Sequence, residues 1–252
     1  MLPILLTFWP FLETVLQKNS KYININNNNN KNINEKNINE KNNNFNDNNN
    51  NSIRQNFLSA FNAIGTIILG VIYLKTKNDL SFSAVILFPM VFYIYDTYNL
   101  WFNRKIDKLA YICHHLAAIY YLQCIFLYGN EMRLIMILAL ICIELSNLPL
   151  YYVYDFLKRN NEKTEQYYKK LLDLKCIQLV FYGICRILVF GYIIYNYSKE
   201  VKHQPILLSS IYLIFFMGAY WLQHQIKGYF KTKNEYKELL YISKLNTTFT
   251  GF

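Results

Sequence analysis

After residue 56 the chain repeats one feature six times: a mostly apolar run of roughly twenty residues, closed off by a short charged loop. The runs fall at about 57–74, 82–101, 109–128, 132–154, 174–196 and 206–226. At about 1.5 Å per residue each is as long as the hydrocarbon core of a bilayer is thick. A water-soluble helix of that length shows a charged face, and these runs show none. A seventh segment, 2–17 (LPILLTFWPFLETVLQ), is shorter and carries Pro3, Pro10 and Glu13. It lacks the basic start and small-residue cleavage site of a secretory signal, so it reads as a weak first span. The expected fold is all-α: a polytopic transmembrane helix bundle of six to seven spans.

Composition makes sense only in pieces. The chain is 53% hydrophobic and has a formal charge of +10, yet its mean hydropathy is close to neutral. Polar and apolar residues are therefore segregated along it. The densest polar stretch is residues 19–53, where NINNNNNKNINEKNINEKNNNFNDNNNN (24–51) has little to bury and is expected to be disordered. The expected organisation is a weak span over 1–18, an Asn-rich insertion over 19–53, a transmembrane domain over 54–230 and a basic tail over 231–252. The five cysteines, Cys113, Cys124, Cys142, Cys176 and Cys185, all lie in apolar runs without C-x-x-C or zinc spacing, and read as small buried hydrophobes.

Loop charge sets the orientation. With seven spans, one side receives Lys18, Lys21, Arg54, the NRKIDK turn, the KRNNEKTEQYYKK loop and Lys227, Lys231 and Lys233. The other side receives only KTKND, GNEMR and SKEVKHQ, so the first is expected to be cytosolic, with the C-terminus on it. His203, in the last of these loops, reads as a solvated residue. Asn246, a nominal glycosylation site, is then expected to stay unmodified. The positive charge implies contact with anionic headgroups and not with nucleic acid, for which no stacking or groove-reading element is present.

Polar residues inside the runs line up at helical spacing. Ser59, Asn62 and Thr66 share a face; so do Asp96, Asn99 and Asn103; so do Glu144, Asn147 and Tyr151; so do Gln178, Tyr182 and Arg186. The adjacent pair His114-His115 sits in AYICHHLAAIYYL (110–122). Counted along each run, Asp96 and the histidines lie about 8 Å from the basic side, Glu144 roughly 15 Å and Arg186 roughly 18 Å. A lone charge at the centre of a bilayer helix costs about 2.5–3.5 kcal/mol or more. The ionisable groups are therefore expected to face one another across a polar cavity open to the cytosol, with Arg186 paired to Glu144 and Asp96 orienting one imidazole. Ser59, Asn62, Asn99 and Gln178 read as contacts between helices. No H-x-x-H or E-x-x-H spacing suggests a metal, and none is expected.

Asp96, then His114-His115, then Glu144-Leu145-Ser146-Asn147, then Arg186, closing with YWLQHQIKGYFK (220–231), form an ordered set that resembles the TLC domain family. The family includes the ceramide synthases, the TRAM translocation-associated proteins and a group of smaller TLC-domain proteins. Where ceramide synthases carry an acidic His-Asp…Asp motif, this sequence reads ALICIELSNLPLYYVYD, with Glu-x-Ser in place of His-Asp. Asn62 stands where many members place a histidine. The resemblance is therefore closer to the small TLC-domain proteins, associated with membrane lipid composition, and it implies the endoplasmic reticulum.

Two functions follow from the resemblance. In one, the protein binds or modifies a membrane lipid or acyl chain in lipid homeostasis, with Glu144, Ser146, Asn147, Tyr182 and Arg186 holding it. Arg186 then meets a phosphate or carboxylate and Glu144 an amine. In the other, it is an acyl-CoA-dependent N-acyltransferase in which His114, His115 and Asp96 are catalytic. No tightly bound cofactor is expected, acyl-CoA being the co-substrate of the second reading. Arg104, Lys105 and Lys108 read first as positive-inside residues that set topology, and under the second reading as a basic rim that attracts its phosphates. Successive residues on a helix point about 100° apart, so the two histidines are expected to divide the work. Channel or transporter function lacks its usual marks, inverted repeats and broken helices.

Overall fold

The computed structural model describes residues 7–16, 39–102, 109–125, 130–160, 162–200 and 205–249. Nearly all of them are helical, and no strand occurs among them. In chain order the elements are α1 (7–16), α2 (Asn39–Thr76), α3 (Asp79–Phe102), α4 (Leu109–Ile125), α5 (Asn130–Arg159) and α6 (Glu165–Tyr182). Then come a π-helical segment (Gly183–Val189), α7 (Phe190–Glu200) and α8 (Pro205–Phe249). Segment α6–π–α7 is one continuous rod.

Five stretches are long and apolar enough to cross a membrane: Ile53–Thr76, Asp79–Phe102, Arg133–Arg159, Glu165–Glu200 and Pro205–Ser243. The sixth, Leu109–Ile125, is apolar but 17 residues long, about 25 Å. Only 28–44% of the most apolar window in each long span is buried inside the bundle. Many of the other side chains, including Ile68, Ile72, Val180, Leu188 and Phe216, are exposed on the outside of the bundle. An apolar belt of that extent is incompatible with a free surface in water and suits lipid.

Contacts close the six long elements into a ring in the order α2, α3, α4, α8, α6–π–α7, α5 and back to α2. Chain direction alternates at every step, so each helix is antiparallel to both neighbours. Small residues bring α2 close to the helices beside it: a Cβ on Gly70 would lie 2.7 Å from Ile141 of α5, and one on Gly65 would lie 2.6 Å from Phe88 of α3. One end of the ring carries the 102–109 and 159–165 connections and is the basic end; the polar side chains gather toward it. The opposite part of the interior is apolar, packed with Tyr121, Leu122, Ile125, Met136, Ile137, Phe190 and Ile211.

Helix α1 lies against the α2–α3 seam. Trp9 is fully buried there, with its ring 4.8 Å from Phe92, 5.2 Å from Phe88 and 5.9 Å from Phe61. Glu13 pairs with Arg54 at 2.9 Å. Because Arg54 is at the basic end and Phe88 deeper, α1 runs toward the basic end, the direction a first span needs. Its described residues cover about 15 Å, half the hydrocarbon thickness.

Two boundaries differ from the expectation. The Asn-rich block is helical from Asn39 onward, continuous with the span; extending a helix already nucleated at 53–76 costs little per residue even for a poor helix former. Residues 17–38, where the rest of that expectation falls, lie outside the described residues. At the other end no break occurs at 230: α8 continues through the expected tail to Phe249. At about 68 Å, α8 is more than twice the hydrocarbon thickness. Its outer half pairs with the start of α6, where Lys175 Nζ donates to Gly228 O (2.9 Å) and Thr232 Oγ1 (2.6 Å), and Tyr168 stacks on Tyr236.

Candidate functional site

Four elements of the ring, α3, α4, α5 and α6–π–α7, send buried polar side chains to one centre. Helix α2 reaches it with the exposed Gln55, and α8 borders it with the half-buried Trp221. From α3, Tyr93 and Asp96 lie three residues apart on the inner face. The Tyr93 hydroxyl donates to Glu144 Oε1 at 2.5 Å. Asp96 Oδ1 accepts from Gln55 Nε2 of α2 at 3.0 Å, and its Oδ2 faces His115 Nε2 at 3.7 Å. That last separation is an ion-pair distance, longer than a hydrogen bond.

The two histidines of α4 do divide, as their 100° offset requires. His115 turns to α3, its ring 5.2 Å from that of Tyr93. His114 turns to α8, edge-on to Trp221 at 4.9 Å. Their rings are 5.8 Å apart and both are buried, yet Nδ1 of each has no hydrogen-bond partner.

Helix α5 supplies Glu144, 1% exposed, whose Oε2 accepts from Asn147 Nδ2 at 3.4 Å. Ser146 is also buried, but its hydroxyl donates back to Ile143 O at 2.6 Å. That bond commits the hydroxyl's one donor to its own helix and leaves its oxygen with acceptor capacity only. Farther along, the backbone carbonyl of Tyr151 accepts from Asn56 Nδ2 at 2.8 Å.

Arg186 comes from the π-helical segment, a wider turn that recurs at functional sites in helices. It is 1% exposed and its Nε and Nη1 have no partner; nor does the hydroxyl of buried Tyr182, one turn earlier. Room for the guanidinium is made on α8 by Gly218, where a Cβ would stand 3.0 Å from both Arg186 Cγ and Nε. The expected Arg186–Glu144 ion pair does not form. Both oxygens of Glu144 are taken on its own side, by Tyr93 and Asn147, and Arg186 acts on it only from a distance.

Seven of the eight residues assigned to the site from sequence thus converge: Asp96, His114, His115, Glu144, Asn147, Tyr182 and Arg186. Four that matter were not singled out as site residues. Gln55 and Tyr93 each sit one turn from a residue already in a polar stripe, so the stripe extended by a turn points to them. Trp221 lay within the closing motif. Gly218 had no signal, because only the packing shows what its missing side chain leaves room for. Of the residues read as contacts between helices, Ser59 bonds its own helix at Gln55 O, and buried Asn62 leaves Oδ1 without a partner. Among the described residues no group of three or more His, Cys, Asp or Glu is placed to hold a metal. Arg104, Lys105, Lys108, Asn103 and His203 lie outside the described residues, as does whatever opening 103–108 would rim.

The order of these groups along the chain, and their convergence, coincide with a family match. The model of the TLC domain matches residues 53–227, more than half the chain. The protein belongs to the TLC domain family. Comparison with curated proteins and with solved structures gives no match. The matched region begins at the first residue of the first long span and ends just past Trp221, so the TLC domain is the six-element ring, with α1 and the outer half of α8 added to it.

Proposed function

We propose that this TLC-domain protein binds or modifies a membrane lipid or acyl chain at the polar centre, as part of lipid homeostasis in the endoplasmic reticulum. The observation that carries the reading is the set of buried polar atoms without partners on two facing elements: His114 Nδ1, His115 Nδ1, Tyr182 OH and Arg186 Nε and Nη1. Buried polar groups in native proteins are almost always satisfied, and unsatisfied ones cost about 1–3 kcal/mol each. Five together mark a place where a bound molecule supplies the partners. In this account the basic end and the C-terminus face the cytosol, in keeping with the lysine distribution.

The Asp96–His115 contact favours a second reading, transfer of an acyl group from acyl-CoA to an amine. With Nε2–H toward Asp96, the lone pair of Nδ1 is free to act. As nucleophile it adds to the thioester carbonyl and CoA leaves as thiolate; the amine then displaces the imidazole, forming an amide, and its proton passes to the CoA thiolate. Purified protein supplied with labelled acyl-CoA and a panel of amines tests this. A labelled amide that disappears in His115→Gln supports transfer. No labelled product, with lipid still co-purifying, leaves binding as the function.

A further inference from the structure

The atoms left without partners at the polar centre differ in what they say about a ligand. A tyrosine hydroxyl or an imidazole nitrogen can donate or accept. Arg186 Nε and Nη1 can only donate, and the group they belong to keeps its positive charge in any protein environment. Arg186 is 1% exposed, and among the described residues no carboxylate lies within ion-pair distance of it. The nearest acid on α5, Glu144, is held by Tyr93 and Asn147. Glu144 acts on Arg186 only through space, as do the polar groups Tyr93, His114, Tyr151 and Tyr182. Its one aromatic neighbour of note is the Tyr182 ring, 6.0 Å from the guanidinium carbon, at the edge of a useful cation–π distance.

The surroundings also fix where the fork lies. The π turn carries Arg186, and the absence of a side chain at Gly218 lets Cγ and Nε lie against the backbone of α8. A guanidinium buried this way, with two donors open, is a shaped site and not a residual charge.

We infer that Arg186, seated on Gly218, is the receptor for an anionic oxygen group, a carboxylate or a phosphate, on the lipid held at the polar centre. The inference rests on the reading that this centre binds a lipid, and it narrows the class. A neutral amide or hydroxyl headgroup satisfies one donor and leaves the guanidinium with no anion in contact. A carboxylate or phosphate accepts at either of these donors and brings an opposite charge into contact with the guanidinium. His114, which Arg186 also acts on, and Tyr182 are placed to complete the shell.

Matched pairs of ligands that differ only in charge test this on the unmodified full-length protein in nanodiscs. Oleate is compared with oleyl alcohol, and lysophosphatidate with monoacylglycerol, by native mass spectrometry. We expect the anionic member of at least one pair to bind about tenfold or more tightly, the size of a lost hydrogen bond to a charged group. Preference for oleate assigns a fatty-acid carboxylate, and preference for lysophosphatidate a phosphate. Gly218→Ala and Arg186→Gln are both expected to erase the preference, the first without removing the charge. Equal or tighter binding of the neutral members overturns the inference and leaves lipid binding standing. Binding of none of the four overturns both.

Discussion

His115 sits between an acid and a phenol, with Asp96 facing one nitrogen and the Tyr93 ring alongside. Its neighbour in sequence has neither, since His114 packs on Trp221 instead. If acyl transfer operates, the two are therefore unequal, and His115 is the one whose chemistry Asp96 tunes. Asp96→Asn keeps the shape and a hydrogen-bond acceptor for Gln55 but removes the charge; we expect turnover with labelled acyl-CoA to fall about 100-fold or more while KM changes little. Tyr93→Phe leaves Glu144 buried with Asn147 alone, and is expected to destabilise the purified protein by about 1–3 kcal/mol, read as a lowered Tm in detergent. Spacing alone was enough to bring Asp96, Glu144, Tyr182 and Arg186 to one centre, because helical period fixes which face a residue occupies. It was not enough to pair them. Which partner a long side chain takes depends on rotamers and on competing donors, and Tyr93 and Asn147 reach Glu144 before Arg186 does.

At the level of elements, the spans were legible from length and hydropathy, since lipid imposes both on any helix that crosses it. The π turn was not: it follows from how α6–π–α7 packs between α5 and α8, which no local pattern in GICRILV announces. Nor was the length of α8, because the charged residues after 230 read as a tail until Tyr168, Tyr236, Lys175 and Thr232 are seen holding the helix to α6. Lys175→Met removes both of its hydrogen bonds and is expected to cost about 1.5–3 kcal/mol. Limited proteolysis checks it, with cleavage between 231 and 243 appearing earlier than in the parent protein. Gly70→Leu places a branched side chain where even a Cβ falls 2.7 Å from Ile141. We expect it to separate α2 from α5 and to yield protein that inserts but aggregates on extraction, seen by size-exclusion chromatography.

For the molecule as a whole, six antiparallel elements in a closed ring give a polar interior toward the basic end and an apolar exterior, the reverse of a soluble bundle. The family match over 53–227 and the outward-facing apolar belt fix the membrane assignment independently of each other. The proposed orientation predicts that a glycosylation acceptor placed after residue 249 stays unmodified in microsomes, while one in the 200–205 connection is modified. The central claim is that the convergent polar groups hold a lipid. Mass spectrometry of the full-length protein extracted with its native membrane tests it most directly, against a His114→Gln/His115→Gln double variant shown by Tm to be folded. The account predicts a lipid retained by the parent protein and lost by the variant; a parent protein that carries no lipid, or a variant that keeps it fully, would contradict the account.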